Sequence, residues 1–140
     1  MVAAPSAAAI VDHRIVPIPE ACMSYVDGFV IPVPKKNLKK YRTIAAKAGK
    51  IWMQYGAVSY TEALGDDFDL KAATNFPKMA KAKKTETVLF SWIIYKSRKH
   101  RDQVIKKVMA DPRIQKMMVD KPIFDYKRMA YGGFKTLIHG

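Results

Sequence analysis

TVLFSWIIY, Thr87 to Tyr95, is the stretch on which the fold turns: β-branched and aromatic residues fill it, and Ser91 is the one break in an apolar character shared by both faces. A strand sends successive side chains to opposite sides, so this one demands cover on both. Downstream, Ser97 caps a helix that buries Val104, Ile105, Val108 and Met109; Asp111-Pro112 ends it, and a short turn carries Ile114, Met117 and Met118 as far as Lys121-Pro122. Lys127 to Ile138 then reads as a strand in which Gly132-Gly133 marks a bulge or a place where another backbone comes close. Upstream, Gly65 to Lys84 is polar and mixed, with room for one or two helical turns, and Ala57 to Leu64 alternates as a strand with Val58, Tyr60, Glu62 and Leu64 on one face. Before it, Leu38, Tyr41, Ile44, Ala45, Ala48, Ile51, Trp52 and Tyr55 recur at helical spacing, with Asn37 as N-cap and Gly56 as the stop. Tyr25 to Val33 is the first strand, with Tyr25, Asp27, Phe29, Ile31 and Val33 on one face and Val26 and Val30 on the other. Pro32 lacks an N–H, so that end is expected at a sheet edge or frayed.

The order strand, helix, strand, strand, helix, strand is the split βαβ arrangement of a ferredoxin-like α+β domain, one antiparallel sheet with both helices on one face. Residues 23–140 are expected to form this single domain. No further element is left for the second face of the sheet, so a second copy of the chain is expected to cover it, giving a homodimer.

A length of 140 residues, 49% of them hydrophobic, suits one packed core and excludes both a multi-lobed enzyme and a disordered chain. The first 22 residues are expected to be a loose, dispensable tail, with Met23 as an alternative start. Arg14 follows rather than precedes the apolar run, and Glu20 spoils a lipidation site at Cys22, so neither export nor a membrane segment is expected. One cysteine excludes an internal disulfide and a thiolate zinc cluster, and points to the cytoplasm.

Twenty-five Lys and Arg against 12 acids give +13, concentrated at Lys35–Lys50, Lys71–Lys84 and Lys96–Lys107. Such clusters could hold RNA, DNA or another polyanion with steep salt dependence. The lysines nevertheless spread over an exposed helical face, and dimerisation would hide the sheet aromatics that base stacking needs, so a solubilising surface is the preferred reading.

Four segments carry a family resemblance: YVDGFVIPVP (Tyr25–Pro34), FSWIIYKSRKHRD (Phe90–Asp102), VMADPR (Val108–Arg113) and KRMAYGGF (Lys127–Phe134). Together, in this order, they resemble the YbaA-like family, domain-of-unknown-function family 1428. The resemblance implies the dimeric α/β-barrel fold and no reaction. Relatives of that fold include cofactor-free monooxygenases, haem-degrading proteins and small isomerases, which hold a ligand between sheet and helices. The chain departs from the family at Lys96, where a Pro is usual, and at Lys121–Tyr126, which puts any ligand role for that loop in doubt.

No cofactor is indicated: phosphate-binding glycine loops and dinucleotide fingerprints are absent, and His13, His100 and His139 lack metal-ligand spacing. Ser91 has no nucleophile turn around it and reads as a packing residue. Asp27 and Glu62 stand out because each is a carboxylate set among apolar strand residues, where burial raises the pKa toward that of a base. Pairing with Arg98, Arg101 or Arg128 would make them structural instead. If there is chemistry, Asp27 or Glu62 is the base, Arg128 and Tyr131 orient a small-molecule ligand, and Trp92 forms a wall. Trp52 and Tyr41 complete the candidate aromatic pocket, or simply pack the core.

Overall fold

The structure, a computed structural model, describes residues 24–69 and 71–140; the expected tail over residues 1–22 lies outside these. The elements are β1 (Tyr25–Pro34), α1 (Leu38–Gln54), β2 (Ser59–Leu64), a one-turn α2 (Phe76–Met79), β3 (Glu86–Tyr95), α3 (Arg98–Ala110), α4 (Pro112–Val119) and β4 (Ala130–Lys135), with 3-10 turns at Lys35–Asn37 and Tyr126–Arg128. One antiparallel sheet has the order β2-β3-β1-β4, which is the ferredoxin-like α+β fold read from the sequence. β4 ends opposite Val30, so the Pro32 end of β1 has a partner strand on one side alone, as its missing N–H requires.

Side-chain alternation divides the core. Leu89, Ser91, Ile93 and Tyr95 of β3 turn toward the helices, where Ile93 and Tyr95 pack with Ile51, Val104, Val108 and Ile114, and Leu89 packs with Ile31, Val33, Tyr41 and Ala45. α1 stops as expected: Gly56 has φ +107°, and Ala57 N–H to Trp52 O and Gly56 N–H to Met53 O (both 3.1 Å) consume its last carbonyls. Ser97 caps α3 by accepting from His100 N–H at 3.0 Å. Asp111 is the more heavily used cap: 6% exposed, it accepts from Arg113 N–H at 2.8 Å and Tyr55 Oη at 2.7 Å. The Arg113 guanidinium and the Tyr55 hydroxyl hold its carboxyl well below the usual carboxylate range.

Several local expectations are corrected. Asn37 sits at the start of α1 without capping it; its side-chain amide instead donates to Ile123 O at 2.8 Å, tying down the loop before β4. The turn after Pro112 is a full helix, because Asp111 and Pro112 together form a strong start signal. The last strand is shorter than Lys127–Ile138. Gly132-Gly133 makes no bulge, since β4 pairs with β1 residue for residue. What comes close is a ring: a Cβ on Gly133 would lie 2.8 Å from Tyr25 Cε1. Finally, the second face of the sheet is not left wholly to another molecule. Described residues on either side of Leu70 fold back over it, and Phe68, Ala80 and Ala82 pack on Val30 and Val88.

Gly49 marks the place where α1 comes down on β2: a Cβ there would be 2.7 Å from Tyr60 Cδ1, near the root of a ring that is itself hydrogen-bonded. Helix propensity alone predicts that Gly49→Ala raises stability by about 1 kcal/mol. The packing predicts the opposite sign, a loss of about 1–3 kcal/mol in denaturant unfolding.

Candidate functional site

Between the helix-facing side of the sheet and helices α1, α3 and α4 lies a cavity of about 840 Å³. Its middle is apolar, walled by Phe29, Ile44, Ala48, Ile93, Ile105 and Met117. Two carboxylates mark its poles. Asp27 of β1 and Glu62 of β2 share a face with β3 between them, opposite Ile93 and Ser91 respectively, so two strand spacings across and two residues along put their backbones about 12 Å apart, too far to share a proton.

At the first pole Asp27 is 1% exposed. Arg101 Nη1 donates to Asp27 Oδ1 and to the Tyr131 hydroxyl, each at 3.0 Å, and its guanidinium lies 5.0 Å from the centre of the Tyr25 ring. Tyr131 stacks on Phe29 with ring centres 4.9 Å apart. Trp52 Nε1 donates to Tyr95 Oη at 3.0 Å, and burial pushes the Tyr95 phenol up. Asp27 Oδ2 is buried and has no hydrogen-bond partner among the described residues. Burial raises the Asp27 pKa above its ordinary 3.8 and outweighs the opposing pull of Arg101 and of the Tyr131 and Tyr95 hydroxyls.

The second pole is saturated. Tyr41 donates to Glu62 Oε2 at 2.8 Å, Tyr60 to Oε1 at 2.9 Å, and Ser91 to Oε2 in a very short contact. Burial, followed by the carboxylate itself, pushes both phenols far up, so they remain donors throughout the physiological range. Ser91 is therefore a polar anchor for Glu62, in keeping with a packing residue that has no nucleophile turn around it.

Of the residues singled out from the sequence, Asp27, Glu62 and Tyr131 line the cavity, as do Trp52 and Tyr41. Trp92 does not. It stands on the opposite face of the sheet beside Phe90, ring centres 5.5 Å apart, because alternation from Ser91 and Ile93 sends it there. Nor does Arg128, whose guanidinium clamps both Glu86 oxygens at 2.7 Å and reaches Asp125 Oδ2 and Lys81 O at 3.0 Å, joining the start of β3 to the turn before β4. Arg101 is the cation paired with Asp27, while Lys40 and Lys121 line the cavity, and α3 carries the signal for Arg101. It precedes Val104 by three residues and Val108 by seven, so it lies on the buried stripe. No group of three or more His, Cys, Asp or Glu residues able to hold a metal ion occurs among the described residues, and no described helix is long and apolar enough to cross a membrane.

Comparison with known proteins agrees with the motif resemblance. Residues 24–126 match the family DUF1428, protein of unknown function. The chain is 42% identical over 116 residues to the uncharacterized protein YbaA of Escherichia coli strain K12, covering 83% of this chain and 98% of that protein, and equally similar to YbaA of Shigella flexneri. Among solved structures it is similar to a NIPSNAP family protein with unknown function from Agrobacterium tumefaciens strain C58, with a TM-score of 0.53 at 14% identity over 87% of this chain and 95% of that one. That likeness concerns the fold alone, an α+β architecture with one four-stranded antiparallel sheet. On a match spanning most of its length, the chain belongs to the DUF1428 family, with YbaA as a relative.

Proposed function

We propose that this protein binds a small amphiphilic molecule in the cavity between sheet and helices, with an apolar or aromatic body and a hydroxyl or amide N–H directed at Asp27. The carrying observation is Asp27 Oδ2, a buried carboxylate oxygen without a hydrogen-bond partner among the described residues, on a residue that lines the cavity. Leaving such an atom unsatisfied costs about 1–3 kcal/mol, which a donor brought by a ligand recovers. Met109, Met117 and Met118 line the same cavity, and their flexible thioethers can repack around an apolar body. Tyr131, 51% exposed and held by Arg101, stands at the boundary between cavity and solvent and can orient what enters. Because its pKa is raised, Asp27 is also suited to take a proton from the ligand it holds; that is the chemistry the site permits. The single Cys22 keeps the cytoplasm as the compartment in this reading.

The assembly we propose is a homodimer through the part of the second sheet face that residues 65–69 and 71–84 leave uncovered. Phe134 is 61% exposed there, and Phe90, at the border where its ring meets Phe76 with centres 5.8 Å apart, is still 44% exposed, with Trp92 and Ile94 half-buried between. The open part of this face carries no charge, since its strand positions are Val26, Gly28, Thr61, Ala63, Phe90, Trp92, Ile94, Gly132 and Phe134. Two molecules of charge +13 can therefore meet here without bringing lysines together.

Calorimetric titration with 1-naphthol and 1-methoxynaphthalene separates a donor from its blocked counterpart on the same apolar body. The protein should prefer the naphthol by roughly tenfold or more, the size of a hydrogen bond to a charged acceptor, and Asp27→Asn should abolish most of that preference. Since the acceptor is the ionised carboxylate, the preference should grow as pH rises through a midpoint above 3.8. Equal affinity for the two compounds in the native protein would refute the reading. For the assembly, sedimentation at micromolar concentration should give a dimer, and Phe90→Glu with Trp92→Glu a folded monomer; a native monomer there would exclude this interface.

A further inference from the structure

A second depression lies outside the cavity, along the outer edge of β2 beneath α1, and it does not depend on the cavity reading. β2 is an edge strand. Gly65 N–H donates to Val88 O at 2.8 Å, which places residues 65, 63, 61 and 59 on the side of the ladder facing β3. The backbone N–H and C=O groups of Tyr60, Glu62 and Leu64 are thereby turned outward. Alongside them runs a groove of about 1310 Å³ between β2 and α1. Its apolar side is Leu38, Ala46, Met53 and Leu64, of which Met53 and Leu64 are 44% and 54% exposed. Its rim is Lys35, Lys39, Arg42 and Lys50, none of which forms an ion pair among the described residues. Glu62, the acid in the groove lining, is already held by three hydroxyls and does not neutralise that rim.

We infer that this groove docks an extended acidic peptide segment of another protein, which adds to β2 as a fifth strand. An open strand edge supplies main-chain hydrogen bonds, a helix-walled apolar groove takes alternate side chains, and the cationic rim selects carboxylates on the others. The occupants closer to hand fit less well. A second copy pairing β2 to β2 would bring the seven cations of Lys35–Lys50 against their equals, with no acid between. The chain's own first 23 residues carry Asp12 and Glu20 as their acids, with Arg14 beside them, and offer the rim little. Nucleic acid would satisfy the cations but not the row of strand-edge donors and acceptors.

The probe is a fluorescein-labelled octapeptide alternating glutamate with valine or leucine, followed by fluorescence anisotropy on the intact chain. Saturable binding is expected, weakened at least tenfold by Lys39→Glu with Arg42→Glu. Two N-methylated versions of the peptide, blocking alternate amides in opposite registers, report on the edge itself. The register facing β2 should lose binding while the other retains it. Amide exchange at Tyr60, Glu62 and Leu64 should slow when the peptide is bound. Absence of binding, indifference to both methylation registers, loss in both, or binding without protection at those three amides would each overturn the inference.

Discussion

Burying a carboxylate in the middle of a strand that otherwise faces an apolar core constrains everything around it. Asp27 is held there by one guanidinium, from a helix on the far side of the core, and that pair ties β1 to α3 across the space the two elements enclose. Breaking such a pair by removing one partner typically costs about 3–5 kcal/mol, because the other charge stays buried. The pair therefore fixes the separation of helix and sheet at this end of the molecule. Arg101 satisfies one oxygen of Asp27 and the Tyr131 hydroxyl, which leaves the second oxygen of Asp27 buried without a hydrogen-bond partner among the described residues, although the Tyr131 and Tyr95 hydroxyls stand near enough to pull the carboxyl pKa down. A site that is purely structural would be expected to complete this bond, as the Glu62 site does with three hydroxyls.

The contrast between the two carboxylates separates their roles. Glu62 is surrounded by neutral donors and closes the wall between cavity and groove, since Tyr41, Tyr60 and Glu62 line both. Asp27 is paired on one side only and carries a raised pKa. The two faces of the sheet are likewise unequal. One is covered by three helices around the cavity, and the other is roofed over Val30 and Val88 by residues 65–69 and 71–84 and open around Phe90 and Trp92.

Much of this architecture can be read from residue order. Period-two and helical spacing locate the strands and α1, the Ser97 and Asp111 caps mark α3 and α4, and the strand–helix order gives the sheet. Asp27 and Glu62 are legible for one reason, that charge on an apolar strand face is unusual. Trp92 is misplaced when read for composition instead of phase: it is one residue from Ser91, and one residue changes the face. Arg101 is legible as one of three possible partners for these carboxylates, beside Arg98 and Arg128, and within the run KSRKHRD its spacing to Val104 and Val108 is what singles it out as the one that reaches Asp27. The roof over Val88 has no periodic signal at all. It consists of Phe68 and two alanines, Ala80 and Ala82, with a single helical turn between them, and one aromatic and two small residues spaced so widely are invisible without the tertiary fold.

In the proposed reading, the second oxygen of Asp27 accepts a hydrogen bond from a molecule lying between sheet and helices. A crystal structure of the protein soaked with 1-naphthol, at a pH where the carboxyl is ionised, tests it most directly. The naphthol oxygen is expected at roughly 2.5–3.0 Å from Asp27 Oδ2, with the rings against Phe29 and Ile93. A naphthol ring seated instead on Phe90 and Trp92, or a cavity collapsed around Asp27 with its second oxygen met by a protein donor, would contradict it.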